Sequence, residues 1–319
     1  MTVSKRIVFC GTPDFSVPSL RALVHSGHEV VAVVTQPDRL VGRGRKLKAP
    51  PVKVAAVELG IPVMQPGKAT SPDFASALTE LGPDYLVTAA YAKILRPNIL
   101  AIPSRFALNV HASLLPLHRG AAPIQSAILE GDAHTGITVM TMVREMDAGD
   151  IVLQETLPIL PADTAGDVHD KLMALGAEAI VAAIERLESG DIIPEPQDHS
   201  KATYCGKLEK GSGLIDWSEK AIEVERLVRA MNPWPMAFSH LEGEVCRIWS
   251  STVKDEVDSG RPPGTVLACS KAGIDVQTGA GTLRIDTLQA PGKRMMSAAE
   301  YLCGHVLSEG SRFHVPEEE

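Results

Sequence analysis

The first half of the chain alternates short apolar runs with helical patterns, and this alternation limits the fold more than any other feature. The apolar runs are continuous and rich in Val and Ile, which is typical of strands buried on both faces. Because helical patterns separate them, successive strands would run parallel under helices on both sides. The sequence therefore predicts a doubly wound, Rossmann-like α/β sheet with its chemistry at the carboxyl ends of the strands. Strands are predicted at 6–10, 29–35, 61–63, 85–90 and 106–111, and helices at 18–26, 51–59, 72–81 and 165–187.

The pattern changes after residue 190, where 193–197 is extended, polar and rich in Pro. From residue 207 onward, one helical pattern at 221–231 precedes short β-like runs that Gly or Pro separate. Short strands at close spacing favour a small sandwich or barrel. The β-like runs are 245–250, 264–269, 273–277 and 281–288. We therefore predict an α/β domain at 1–190, a linker at 191–206, a second domain at 207–314 and a frayed tail at 315–319.

The composition limits which cellular compartment and which binding partners are expected for the chain. The five cysteines are scattered and form no C-x-x-C pair, so we expect free thiols rather than disulfides or a structural metal site. No apolar run approaches the roughly 18 to 20 residues of a membrane span, and the start lacks the features of a signal peptide. The cytoplasm is the expected compartment. A net charge of −8 argues against general nucleic-acid binding, so a nucleic-acid partner would need a local basic patch.

One such patch exists in a glycine-containing segment near the start of the chain. Gly42 and Gly44 would make this loop mobile, and its cations suit phosphates. The cations are Arg39, Arg43, Arg45, Lys46 and Lys48. On the residues alone, a solvated run of charge remains an alternative to a nucleic-acid contact.

Asn109 and His111 lie two residues apart at the end of a predicted buried strand. The period of a strand sends both side chains to the same face. When an amine attacks a carbonyl carbon, negative charge collects on the oxygen, and an amide N–H together with an imidazolium N–H could hold it. The same pair could instead satisfy only local backbone groups.

Asp147 follows the apolar run 137–143 in a polar loop. A carboxylate there could orient His111, favour its charged form and help to collect the proton that the amine loses. An Asp before Ala-Gly is also a common turn former. The chain lacks the G-x-G-x-x-G, P-loop, G-x-S-x-G and H-E-x-x-H patterns. Direct transfer, without a covalent intermediate or a metal, is therefore the simpler hypothesis.

Residues 109–116 (Asn-Val-His-Ala-Ser-Leu-Leu-Pro), with Asp147 downstream, resemble the folate-dependent formyltransferases. Further motifs occur in the right order over nearly the whole chain, and together they resemble the members that act on methionyl-tRNA. These motifs are 11–15 (Gly-Thr-Pro-Asp-Phe), 35–39 (Thr-Gln-Pro-Asp-Arg), 42–44 (Gly-Arg-Gly), 51–53 (Pro-Val-Lys), 119–125 (Arg-Gly-Ala-Ala-Pro-Ile-Gln) and 232–235 (Asn-Pro-Trp-Pro).

The resemblance implies a formyltransferase fold with a C-terminal OB-like β-barrel domain that contacts tRNA. It implies transfer of the formyl group of 10-formyltetrahydrofolate to the α-amine of initiator methionyl-tRNA. We also expect a monomer without a bound metal. The site residues that the resemblance implies are the catalytic Asn109, His111 and Asp147, the reduced-folate contacts Ser113, Leu114, Leu115 and Pro116, a pterin pocket lined by the backbone of Tyr91, Ala92, Lys93, Ile94 and Leu95, and the tRNA contacts Arg43, Arg45, Lys46 and Lys48.

Two departures from the family pattern lie outside the implied catalytic residues. Ala112 stands where the family usually has Gly, and Leu117-His118 stand where it usually has a basic and an aromatic residue. They put the usual contacts at the pocket rim in doubt. An alternative activity is the same chemistry on a nucleotide-linked amino sugar, which would not need the basic loop. A non-catalytic tRNA- or folate-binding protein is a second alternative, but it would not need Asn109, His111 and Asp147.

Overall fold

The structure is a computed structural model that describes residues 4–41, 46–255 and 259–314. These residues form two compact units. The first contains the described parts of Met1–Pro123, His134–Pro158 and His169–Cys205. The second contains those of Ile124–Ala133, Ile159–Val168 and Gly206–Glu319.

Up to residue 205 the elements are, in chain order, β1 (Arg6–Gly11), α1 (Val17–His25), β2 (Glu29–Val34), β3 (Arg39–Val41), β4 (Lys46–Lys48), α2 (Pro51–Glu58), β5 (Val63–Met64), α3 (Pro72–Leu81), β6 (Tyr85–Ala89), α4 (Pro97–Leu100), β7 (Phe106–His111), β8 (Arg119–Gly120), α5 (Pro123–Glu130), β9 (His134–Thr141), β10 (Ile151–Pro158), α6 (Ala165–Ser189) and β11 (Tyr204–Cys205). Short 3-10 turns occur at Asp14–Ser16 and His199–Lys201.

The first unit is built on a seven-stranded sheet with the order β10-β9-β7-β6-β1-β2-β5. The strands from β7 to β5 run parallel, whereas β9 is antiparallel to β7 and β10 is antiparallel to β9. The strand order reverses between β1 and β6, and such a switch point opens a crevice at the carboxyl ends of the strands. The predicted doubly wound sheet is confirmed.

Local sequence explains why these elements form where they do. Ile7, Val8, Phe9 and Cys10 of β1 are all fully buried, as the continuous apolar run requires. Helix α3 begins at a Ser71 cap whose hydroxyl accepts from the Phe74 N–H at 3.3 Å. It ends at Gly82, whose φ of 52° suits the left-handed position after a helix.

The second unit is dominated by an antiparallel sheet. Its elements after residue 206 are a 3-10 turn (Lys210–Gly213), α7 (Ala221–Ala230), β12 (Ala237–Leu241), β13 (Glu244–Asp255), β14 (Val266–Ser270), β15 (Gly273–Gln277), β16 (Thr282–Gln289), β17 (Met296–Ser297), α8 (Ala298–Gly304) and β18 (Phe313–His314). The order is β14-β15-β16-β13-β12-β18, with β17 paired to β16. A bridge between Thr265 and Arg312 joins the two ends of this order. The sheet curls as an OB-like barrel does, and the predicted second fold is confirmed.

The segment 191–206, which the sequence predicts to be a linker, makes specific contacts within the first unit as far as Cys205. Glu195 pairs with Ile151 through two backbone hydrogen bonds of 2.7 and 2.8 Å. Strand β11 pairs in parallel with β8. The predicted domain boundaries stay a prediction.

No helix within the described ranges is long and apolar enough to span a membrane.

Candidate functional site

Four residues with left-handed backbone lie in the loops that follow the carboxyl ends of β6, β7 and β9. Ala90, Ala92, His118 and Asp147 have φ values of 43°, 56°, 56° and 52°. A residue other than glycine adopts this conformation at a cost and keeps it only where its surroundings hold it. Such positions concentrate at functional sites, and these four surround the end of the strand that carries Asn109 and His111.

Asn109 presents a fixed amide. Its Oδ1 accepts a hydrogen bond of 2.5 Å from the hydroxyl of Thr88, which is buried on the neighbouring strand β6. Because Oδ1 is held in this way, Nδ2 is turned the other way, and it has no hydrogen-bond partner within the described ranges. The side chain is therefore set as a donor. Thr88 was not predicted from the sequence, although its place at the end of a neighbouring parallel strand is a usable signal.

The ring of His111 is oriented by a backbone carbonyl. Its Nε2 lies 3.1 Å from the carbonyl oxygen of His118. A carbonyl can only accept, so Nε2 carries a hydrogen, and in the neutral ring Nδ1 holds the lone pair. Nδ1 lies 3.8 Å from Oδ1 of Asp147, which is beyond hydrogen-bond distance but close enough for attraction when the ring is charged.

Burial and neighbouring groups act in opposite directions on the charge state of His111. Burial lowers the pKa of His111 below its usual range, because a charged ring is costly in a dry site. The Asp147 carboxylate and the hydrogen bond to His118 raise the pKa but do not compensate for burial. The lowered pKa favours the neutral ring in the free protein, and Asp147 would stabilise the ring once it takes a proton.

Asp147 lies in the loop between β9 and β10, and two glycines define its position. The backbone N–H of Gly120 donates to Oδ2 of Asp147 at 2.9 Å. A Cβ added at Gly149 would lie 1.8 Å from the carbonyl oxygen of Thr141, so only glycine permits this approach. The side chain of Asp147 is 14% exposed. His111 and Asp147 are thus brought together at the end of β7.

The segment Ser113–Pro116 forms a tight, internally bonded turn with a cis bond before Pro116. The Ser113 hydroxyl is buried and donates to the carbonyl of Leu117 at 2.6 Å. Leu115 is buried too, whereas Leu114 and Pro116 are half-buried. The predicted folate contacts of Ser113 and Leu115 would therefore involve backbone atoms rather than side chains.

The predicted pterin-pocket loop is anchored at Tyr91. The carbonyl oxygen of Tyr91 accepts from Nε2 of Gln36 at 3.0 Å and from the hydroxyl of Thr12 at 3.3 Å. Ala92, Lys93 and Ile94 are exposed, and Leu95 is buried. Ile94 is 82% exposed, which is unusual for an isoleucine and leaves apolar surface at the rim of the crevice.

Two short strands, β3 and β4, flank the predicted basic loop. Strands β3 and β4 pair in antiparallel register, with Leu40 opposite Leu47 and Arg39 opposite Lys48. Lys46 and Lys48 are exposed, and so are both leucines. The predicted contacts Arg43 and Arg45 lie outside the described residues.

An open cavity of about 520 Å³ flanks the Asp147 loop. Val143, Glu145, Met146 and Ala148 contribute to it from that loop. The remaining lining residues are Arg119, His199 and Tyr204. Its volume lies in the range of small-molecule sites.

Within the part of the chain that the structure describes, no group of three or more His, Cys, Asp or Glu side chains is arranged to hold a metal ion.

Comparison with known proteins gives consistent matches over both units. The family "Formyl transferase" matches residues 5–184, and "Formyl transferase, C-terminal domain" matches residues 207–306. A methionyl-tRNA formyltransferase of Acetivibrio thermocellus is 47% identical over 305 residues, which cover 96% of this chain and 98% of that protein. One of Marinobacter nauticus is 48% identical over 300 residues, covering 94% and 96%.

Solved structures share the fold at lower identity. The N-formyltransferase of Helicobacter canadensis, in complex with folinic acid and dTDP-3-aminofucose, superimposes with a TM-score of 0.66. It is 17% identical, and the match covers 89% of this chain and 99% of that one. At this identity the likeness concerns the fold alone.

Proposed function

This chain belongs to the formyl transferase family, and on that premise we propose that it transfers the formyl group of 10-formyltetrahydrofolate to the α-amine of initiator methionyl-tRNA. The observation that carries the proposal is the arrangement at the end of β7. There Asn109 offers a free amide donor and Nδ1 of His111 lies 3.8 Å from Asp147. The similarity of both units to methionyl-tRNA formyltransferases supports the choice of acceptor.

Asn109 is proposed to stabilise the developing charge. The amine attacks the formyl carbon, and the carbonyl oxygen gains negative charge before the bond to N10 of the folate breaks. Because Thr88 holds Oδ1, Nδ2 can donate to that oxygen without reorienting. Loss of one donor of this kind typically reduces the rate by about 10² to 10³.

His111 and Asp147 are proposed to handle the proton. The attacking amine loses one proton and the departing N10 gains one, so the reaction is balanced without a cofactor or a metal. The neutral ring can take the proton on Nδ1, and the charged ring then lies beside Asp147. Asp147 would thus stabilise the charged ring at the stage of the reaction when the negative charge on the formyl oxygen is greatest.

We propose that the reduced folate binds in the crevice between the 91–95 loop and the segment Ser113–Pro116. The exposed Ala92, Lys93 and Ile94, together with the half-buried Leu114 and Pro116, form its rim. Their position at the carboxyl ends of β6 and β7 supports this placement.

We propose that the tRNA binds to β3 and β4 and to Arg43 and Arg45 in the segment that connects them. The exposed Lys46 and Lys48 of this hairpin suit backbone phosphates, and Leu40 and Leu47 are 58% and 67% exposed.

We also propose that the protein acts as a monomer in the cytoplasm, where charged tRNA is used. Light scattering during size-exclusion chromatography would test the monomer.

An acceptor assay tests the function. Purified protein is incubated with 10-formyltetrahydrofolate and either initiator Met-tRNA, elongator Met-tRNA, free methionine or a dTDP-linked amino sugar, and formylated products are followed by mass spectrometry. We expect formylation of the initiator tRNA. Lys46→Ala and Lys48→Ala should weaken tRNA binding and its salt dependence, with a smaller effect on the rate at saturation. Transfer to the amino sugar and to no tRNA would refute the proposal in favour of the alternative.

A further inference from the structure

The Pro-rich segment after α6 returns to the loop that carries Asp147, and Gln197 makes the contact. Gln197 is 5% exposed. Its Nε2 donates to the carbonyl oxygen of Asp147 at 2.9 Å and to that of Gly149 at 2.7 Å. One side-chain amide therefore holds the loop backbone on both sides of Ala148.

Arg119 fixes the orientation of that amide. The guanidinium carries only donors, and its Nε and Nη2 both donate to Oε1 of Gln197, at 3.2 and 2.6 Å. Because Oε1 must face Arg119, Nε2 must face the loop. Arg119 is 2% exposed, and no carboxylate forms an ion pair with it among the described residues. Its guanidinium is held instead by polar contacts with Gln197, His199 and Tyr204.

Arg119 and Gly120 are themselves fixed by β11. The Arg119 N–H donates to the carbonyl of Thr203 at 2.9 Å, and a Cβ at Gly120 would lie 2.1 Å from the carbonyl oxygen of Cys205. The N–H of Gly120 donates to the Asp147 carboxylate at 2.9 Å. The same dipeptide therefore holds the Asp147 side chain directly and its backbone through Gln197.

We propose that Gln197, oriented by Arg119, is a positioning residue that keeps the Asp147 carboxylate at its distance from Nδ1 of His111. The inference rests on the proposed function for the role of Asp147. Asp147 has a left-handed backbone with φ 52°, which persists only while neighbouring groups hold it. Without Gln197 the loop loses two of those contacts, and the carboxylate moves away from the ring.

The test compares Gln197→Ala with Asp147→Asn and with a control. Tyr85→Phe is the matched control, because it removes a part-buried hydrogen bond of 2.6 Å between the amino-terminal end of β6 and Glu188 of α6. Two quantities are measured for each variant: the kcat and KM of formyl transfer, and the pH midpoint of the His111 ring by NMR. The titration needs no substrate and therefore does not depend on the proposed activity.

We expect Gln197→Ala to lower kcat by about 10- to 100-fold, as misplacement of a reacting group by about 1 Å does, with little change in either KM. The His111 midpoint should move down towards its value in Asp147→Asn, because the carboxylate that raises it has moved away. In an Asp147→Asn background, Gln197→Ala should have little further effect on kcat. Tyr85→Phe should lower only the melting temperature.

An unchanged His111 midpoint with kcat within twofold of the wild type would overturn the proposal, and so would a fully additive effect on kcat in the Asp147→Asn background. If Gln197→Ala does not fold, Gln197→Glu decides by kcat and by the double variant with Asp147→Asn, because its added carboxylate would itself raise the His111 midpoint. Glutamate keeps the volume and the contact with Arg119 but cannot donate to the loop carbonyls. A shifted midpoint in a protein that formylates no acceptor would retain the positioning role and reject the proposed function.

Discussion

Single hydrogen bonds determine which polar atoms Asn109 and His111 present to a substrate. Thr88→Val removes the hydroxyl that holds Oδ1 of Asn109 while it keeps the shape of the buried side chain. We expect a loss of about 1 kcal/mol in stability and a lower kcat with little change in KM, because the amide then rotates freely. Steady-state kinetics and thermal unfolding measure both effects.

Thr135→Val is the matched control for this change. Thr135 is also buried in the sheet, but its hydroxyl has no hydrogen-bond partner within the described ranges. Its replacement should leave kcat unchanged and keep or raise the melting temperature. Equal kinetic effects of the two variants would mean that Thr88 does not orient Asn109.

His111 provides a prediction about pH. Its ring should titrate below the usual value of about 6.5, and Asp147→Asn should lower the midpoint further, since the carboxylate raises it. Because the folded protein binds this proton less readily than the unfolded chain, the contribution of His111 to stability is present above about pH 6.5 and is lost as the pH falls towards the folded midpoint. NMR titration measures the midpoint, and an upward shift in Asp147→Asn would contradict this account.

Among the elements, the loop between β9 and β10 depends most on backbone geometry. Gly149→Ala would place a Cβ 1.8 Å from the carbonyl oxygen of Thr141, so the loop must shift and take Asp147 with it. We expect kcat to fall by about 10²-fold. Gly67→Ala is the control, because nothing lies within 4 Å of a Cβ at Gly67. Full activity of Gly149→Ala would show that the loop tolerates displacement.

The sequence predicts the five parallel strands of the first unit, but not β9 and β10, and the reason is physical. A strand buried on both faces must be apolar throughout, so β1, β2 and β6 are recognisable from local sequence. The period of a strand likewise places Asn109 and His111 on one face. Local patterns do not reveal hydrogen bonds to residues that are distant in the chain, and for this reason Thr88 and Gln197 were not predicted. Gln197 was hidden further by a composition typical of linkers.

At the scale of the whole molecule, burial and chain connectivity limit what the sequence predicts. The lowered pKa of His111 depends on how many elements cover the ring, which no single motif records. The compact units are discontinuous, since 124–133 and 159–168 belong to the second unit. There Arg226 donates to the carbonyl of Glu130 at 3.4 Å and Arg229 to that of Asp163 at 3.1 Å. Contacts of this kind, between segments distant in the chain, are not recognisable from local sequence.

The central claim is that Asn109 and His111 accelerate direct formyl transfer between two bound substrates. The most direct test is the single-turnover rate of formyl transfer to initiator Met-tRNA, measured at saturating folate and tRNA for the wild type, Asn109→Ala and His111→Ala. The account predicts rates lower by about 10² to 10³, with unchanged dissociation constants for both substrates and no formylated protein by mass spectrometry. Wild-type rates in both variants, or a formylated protein that forms and decays at the rate of transfer, would contradict it.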